Sequence, residues 1–206
     1  MKWIFGILII IVLIGAGLYF STTSNNPATS QPATTPQIIT GVDNKTYTDP
    51  HLHFTMLYPA TAAASDVNYT GYLPLTQNAV VSFTLPKDMF KGTNLGEAGV
   101  YIGATTSQKA LQSCTNALVD FGEKAAGTQQ INGTTFNVFT STGVGAGNIY
   151  DETDYRTVQN GTCIEVVELL HSGNIGNYPP GTTKEFDHPT FKGYLDGMVN
   201  TLHLPA

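Results

Sequence analysis

Two groups of side chains carry the residue types that acid–base or metal chemistry needs: the carboxylates Asp151, Glu152 and Asp154, and the histidines His51 and His53. The acidic group lies between Tyr150 and Tyr155-Arg156 in a stretch that reads as a strand. Alternation along a strand places Glu152, Asp154 and Arg156 on one face and Asp151, Thr153 and Tyr155 on the other. Two such carboxylates held about 5 to 9.5 Å apart across a cleft would suit glycosidase-type acid–base work. A polar hairpin with an ion pair across its face is the simpler reading, and the spacing misses a calcium-binding EF-hand loop. His51 and His53, two apart on a strand, share a face, and with a third ligand such as His171 they would bind zinc or copper.

Other constellations point away from catalysis. No Gly-x-Ser-x-Gly motif is present, and no histidine is placed by sequence beside a particular serine. The run Gly143-Val144-Gly145-Ala146-Gly147 precedes a strand, not a helix, so it lacks the helix N-terminus that binds a pyrophosphate and reads as a flexible turn. The expectation is no catalytic residue, no metal and no cofactor. Contact is better served: the loop Ser172 to Gly181 presents Ile175 and Tyr178 on a proline- and glycine-rich frame. With Tyr150, Asp151, Tyr155 and Arg156 these two residues form the candidate binding surface.

The elements that must position these residues follow from periodicity and turn signals. Alternating patterns mark strands at about His51 to Tyr58, Ala79 to Leu85 and Ala98 to Ala104. A helix is expected from a Ser107 cap, with Ala110, Leu111, Cys114, Leu118 and Phe121 at three- and four-residue steps and Gly127 ending it. Two Asn-Gly pairs, Asn132-Gly133 and Asn160-Gly161, signal hairpins. They join Gln129 to Ile131 with Phe136 to Ser141, and Ile149 to Gln159 with Thr162 to His171. The chain closes on a helix capped by Asp187 or His188, with Pro189 in its first turn. Phe191, Tyr194, Leu195, Met198, Val199 and Leu202 are its buried stripe. The order predicts an α+β fold, an antiparallel β-sheet with two packed helices.

The chain's first twenty residues fix where this domain is expected to work. Residues 3–20 carry no charge and would form a helix about 27 Å long, close to the hydrocarbon thickness of a bilayer. Lys2 before the run and the bulky Tyr19 and Phe20 after it favour an uncleaved transmembrane anchor over a cleaved signal peptide. Positive-inside reasoning then puts the rest outside the cytoplasm, as a single-pass protein of the cell membrane. Residues 21–45 form a linker rich in Ser, Thr and Pro, and residues 46–206 form one extracytoplasmic domain. In that oxidising setting Cys114 and Cys163, the only cysteines, are expected to form one disulfide. A net charge of −6 and a single arginine argue against nucleic acid as a partner.

The element order, the phrase Phe54-Thr55-Met56-Leu57-Tyr58-Pro59 in the first core strand and the closing amphipathic helix resemble the PsbP-like fold. The segments Gly92-Thr93-Asn94-Leu95 and Tyr155-Arg156-Thr157 are similar in style to uncharacterised membrane-anchored bacterial envelope proteins. The resemblance implies an assembly or binding module and supplies no site residues. The expected function is a membrane-anchored, extracytoplasmic, non-catalytic binding or assembly domain with an envelope protein as partner. The alternative is an envelope hydrolase or metal-binding protein using the Asp151/Glu152/Asp154 cluster or the His51/His53 pair.

Overall fold

The computed structural model describes residues 43–66, 71–77 and 79–205. The expected anchor at residues 3–20 and nearly all of the linker lie outside the described residues. Among the described residues no helix is long and apolar enough to cross a membrane.

A mixed sheet-and-helix architecture is built almost entirely from antiparallel pairs. The hairpin of β1 (Asn44–Thr48) and β2 (Thr55–Pro59) stands as a separate two-stranded sheet. The main sheet has seven strands in the order β3-β4-β5-β9-β8-β7-β6. They are β3 (Ala63–Ser65), β4 (Ala79–Thr84), β5 (Leu95–Thr105), β6 (Lys124–Ile131), β7 (Thr134–Gly145), β8 (Asn148–Gln159) and β9 (Thr162–Gly173). From β5 the chain crosses to the far edge, then returns as a four-strand meander that lays β9 back against β5.

Turn chemistry makes the meander. Asn132-Gly133 and Asn160-Gly161 both hold positive φ, as a type I′ hairpin turn requires. A third turn of the same kind sits at Ala146-Gly147, so the glycine run ends as a tight hairpin whose first glycines belong to β7.

The two faces of the sheet differ. Phe83, Val100, Ile102, Phe136, Ile164 and Val166 point to the helix face and pack with Phe54 and Met56 of β2 and with α2 (His188–Val199). Asp187 caps α2 by accepting from the Thr190 amide, and Phe191, Leu195, Met198 and Val199 are buried as expected. Beyond α2, Leu202 and Leu204 complete the core, and His203 exchanges backbone hydrogen bonds with Thr55. The opposite, open face carries a smaller apolar group of Leu73, Ala79, Tyr101, Val167 and Leu169.

Three expectations are corrected. The helix predicted from Ser107 to Gly127 is only α1 (Gln108–Ser113); a 3-10 turn follows at Val119–Phe121, and Gly127 lies inside β6. Ser113, Thr115 and Asn116 are weak helix formers that favour turns, and the Cys114 bridge to Cys163 pins the chain to β9 at the helix end. The strand predicted from His51 begins only at Thr55. The buried Asp49 carboxylate accepts from the amides of His51 and Leu52, fixing a turn instead. Two strands, β1 and β3, were not foreseen. The disulfide is present; its 49-residue separation corresponds to about 4 kcal/mol of lost unfolded-chain entropy.

Candidate functional site

The cleft on the open face is where conformationally fixed aromatic and acidic side chains converge. Its floor is Ser141 and Gly143 of β7 and Tyr150 and Glu152 of β8, which stand opposite one another in register. One wall is the segment 71–77, with Gly71, Tyr72, Leu73, Pro74 and Gln77; the other is Phe121 and Glu123, which follow α1. The cleft is open to solvent and has a volume of about 750 Å³, within the range of small-molecule pockets.

A long-range anchor holds the first wall in place. Glu165, fully buried on the open face, accepts from the Leu75 amide at 3.0 Å, the Thr76 amide at 2.8 Å and the Thr76 hydroxyl at 2.6 Å. Segment 71–77 lies directly on Gly103 of β5: a Cβ there would stand 2.0 Å from the Thr76 hydroxyl and 3.0 Å from Leu73. Glycine is required by this close approach.

The second wall is anchored by charge. Glu123 accepts from the Leu118 amide and from the Arg156 guanidinium, closing the turn after α1 against β8. Arg156 is fully buried, lies 4.0 Å over the Phe139 ring and holds its Nε 3.2 Å from Asp154. Asp154 is pushed well above the usual carboxylate range, first by burial and then by Glu165, against the pull of Arg156. Burial also raises Glu165, opposed by its hydrogen bonds from Thr76 and Leu75.

Glu152 is the carboxyl that the cleft displays. It accepts from Ser141 Oγ at 3.0 Å, and its pKa is raised by burial, with Glu123 and Glu165 adding to the rise. The aromatic end of the cleft is a braced cluster. Tyr150 stacks on His171 with ring centres 4.3 Å apart, and Tyr72 packs edge-on against Tyr101 at 5.1 Å. Tyr72 and Tyr101 both donate to Glu97, and His171 Nε2 meets Asn148 Oδ1 at 3.0 Å.

The sequence-derived candidates are distributed as follows. Glu152, Asp154 and Arg156 share the open face as alternation implied, but only Glu152 lines the cleft. Asp151 turns to the helix face, where Thr142 donates to it at 2.9 Å and His188 lies 3.9 Å away. Tyr155 and Arg156, expected on a surface, are both buried: Tyr155 lies beneath α2, 3.4 Å from Glu168 and 3.3 Å from Asp196. Ile175 and Tyr178 are partly exposed on the loop after β9, and Tyr178 packs over Gly173. His51 and His53 point to solvent from a turn, with His53 at φ 57°, and are not paired on a strand. Among the described residues no group of three or more His, Cys, Asp or Glu side chains could hold a metal ion.

Sequence reasoning missed Glu123, Tyr72, Phe121, Glu165 and Glu168. A signal existed for two of them. Glu165 and Glu168 interrupt the apolar run Ile164 to Leu170, and a carboxylate inside such a run must find a buried partner. For Glu123 and Tyr72 no local pattern marks the role.

No known family model matches the chain, and no curated protein matches it. Among the solved structures similar to it in part are these two. One is the cyanobacterial PsbP (CyanoP) of Synechocystis, at 13% identity and TM-score 0.48, covering 85% of this chain and 100% of that one. The other is a protein of Bacteroides thetaiotaomicron, at 14% identity and TM-score 0.41, covering 79% of this chain and 48% of that one. The structural resemblance to PsbP is weak, and no residue's role is taken from it.

Proposed function

We propose that the chain is a membrane-anchored, extracytoplasmic binding domain, not a catalyst, and that the cleft between segment 71–77 and Phe121 receives its ligand. The observation that supports this reading is the cleft itself, floored by two hydrogen-bonded strands and walled by segments that Glu165 and Arg156 tie down. Fixed walls lower the ordering cost of binding. The Cys114–Cys163 bridge agrees with a domain that works in an oxidising compartment.

One observation favours the hydrolase alternative: Glu152, with its raised pKa, lines the same cleft as Glu123. Against it, Asp154 and Asp151 do not line the cleft, and Glu123 is engaged by Arg156.

The test is photo-crosslinking of the full-length protein in its native membranes, with the crosslinker at Phe121 in the cleft or at Tyr178 on the far loop. A stoichiometric adduct at Phe121 supports the cleft as the site. An adduct at Tyr178 alone moves the site to the loop after β9. Folded, disulfide-bonded protein without an adduct at either position would sink the binding reading.

A further inference from the structure

The lining of the cleft selects a charge. Among the described residues that line it, Glu123 and Glu152 are acidic and none is Lys, Arg or His, while Tyr72, Tyr150 and Phe121 supply aromatic surface. The open face has a surplus of carboxyl groups. Glu123, Asp154 and Glu165 gather around a single guanidinium, Arg156, which is sealed from solvent between Glu123, Asp154 and the Phe139 ring, while Glu152 stands further along the same strand face on the cleft floor. Arg156 is also the chain's only arginine, so no second one can reach in.

Glu152 therefore faces the cleft with, among the described residues, one hydroxyl donor, Ser141, and no cation. Aromatic rings present a negative face to a cation, and a carboxylate beside them adds a directed charge-assisted hydrogen bond. The same walls repel an anion.

We infer that the cleft binds a small organic amine, its ammonium group on the Glu152 carboxylate and its apolar body against Tyr72, Tyr150 and Phe121. This rests on the reading of the cleft as the ligand site. Glu123 is less suited to the role, because its Oε2 already accepts from Arg156 and the Leu118 amide and its charge is balanced by that guanidinium. The volume of about 750 Å³ suits a molecule of drug size and exceeds what a bare ammonium or metal ion would need.

The experiment uses three probes of one shape and different charge, phenethylamine, phenethyl alcohol and phenylpropionate, titrated into the full-length protein in nanodiscs. Binding is read from the ring signals of Tyr72 and Tyr150 by NMR. The expected result is that the amine binds roughly tenfold more tightly than the alcohol, that the carboxylate is weakest, and that Glu152→Gln removes the preference. If the alcohol or the carboxylate binds as tightly as the amine, the charge inference is overturned while the cleft stands as a site. If none of the three perturbs Tyr72 or Tyr150 at millimolar concentration, both the inference and the cleft reading fall. The comparison among probes is made on the unsubstituted protein, so it does not depend on how the variant folds.

Discussion

Arg156 holds its Nε 3.2 Å from the Asp154 carboxylate, and both side chains are closed off from water. The pair is two positions apart on β8 and faces the same side of the sheet, so it is built into the strand itself. Glu123 completes it from the segment after α1.

Arg156→Met therefore strips the cation from a buried cluster of carboxyl groups. The expected loss is about 3–5 kcal/mol, as for breaking a buried ion pair by removing one partner. Denaturant unfolding measures it; a loss under about 1 kcal/mol would show that the cluster stands without its cation.

A second buried carboxyl sets a dependence on pH. Glu168, beneath α2, accepts from Lys192 at 2.6 Å and is also met by Tyr155, with Asp196 close by. Burial drives its pKa up to about 8, against the pull of Lys192 and with Asp196 adding to the rise. The folded state thus binds this proton more tightly than the unfolded chain, whose value is 4.5. Its contribution to stability is full below about 4.5 and is lost as pH rises through about 8. Glu152, Asp154 and Glu165 are raised too and act in the same sense. Unfolding free energy should fall from pH 5 to pH 8, and Glu168→Gln should flatten the slope by at most about 1.4 kcal/mol per pH unit. A slope of opposite sign would refute this account.

Gly103 governs the first wall of the cleft. Gly103→Ala drives a methyl group into Thr76 and Leu73, and the segment 71–77 must lift to admit it. A cost of about 1–3 kcal/mol is expected, with faster hydrogen exchange at the Leu75 and Thr76 amides that Glu165 now protects. Unchanged exchange at those two amides would mean that the wall adjusts without releasing Glu165.

Gly143 offers the opposite experiment. Its φ is not in the left-handed region, and a Cβ there would meet Tyr150 at 3.7 Å, an ordinary contact. Gly143→Val should leave stability unchanged or raise it by up to about 1 kcal/mol, since valine suits a strand and glycine weakens one. The new side chain stands on the cleft floor, so crosslinking at Phe121 should drop several-fold. Full crosslinking with the floor occupied would place the ligand elsewhere.

The proposed anchor predicts that the full-length protein stays in the membrane pellet after alkaline extraction and keeps residues 1–20 by mass. A soluble product lacking them would show that the segment is a cleaved signal.

How much was legible in the sequence depended on how local each signal was. Asn132-Gly133, Asn160-Gly161, Asp187 and Pro189 each act within a few residues, and the hairpins and α2 form where those residues put them. In the α1 region the three- and four-residue recurrence of apolar side chains outlasts the helix itself, which ends at Ser113. The last member of that recurrence, Phe121, is 64% exposed, on the cleft wall. The cleft was illegible because its parts meet only through tertiary contact: Thr76 reaches Glu165 across 89 positions, and no spacing rule connects them. Glu152 was singled out for its charge, and the strand alternation that separates it from Asp151 was readable, but what faces it was not.

The place of β9 between β5 and β8 has a consequence for how the protein is made. Strands β6, β7 and β8 can zip as neighbouring hairpins while the chain is still arriving, but β5 waits beside an empty edge until β9 follows. The core is sealed later still, by α2, Leu202 and Leu204. Because non-local pairing is the slow part of folding, the sheet remains open for nearly the whole of synthesis. Cys163 is the second residue of β9, so Cys114 has no partner until that strand is delivered. Under the proposed export, a chain handed across the membrane in this order stays loose enough to be threaded, and becomes cross-linked only after Cys163, in a chain of 206 residues, has passed.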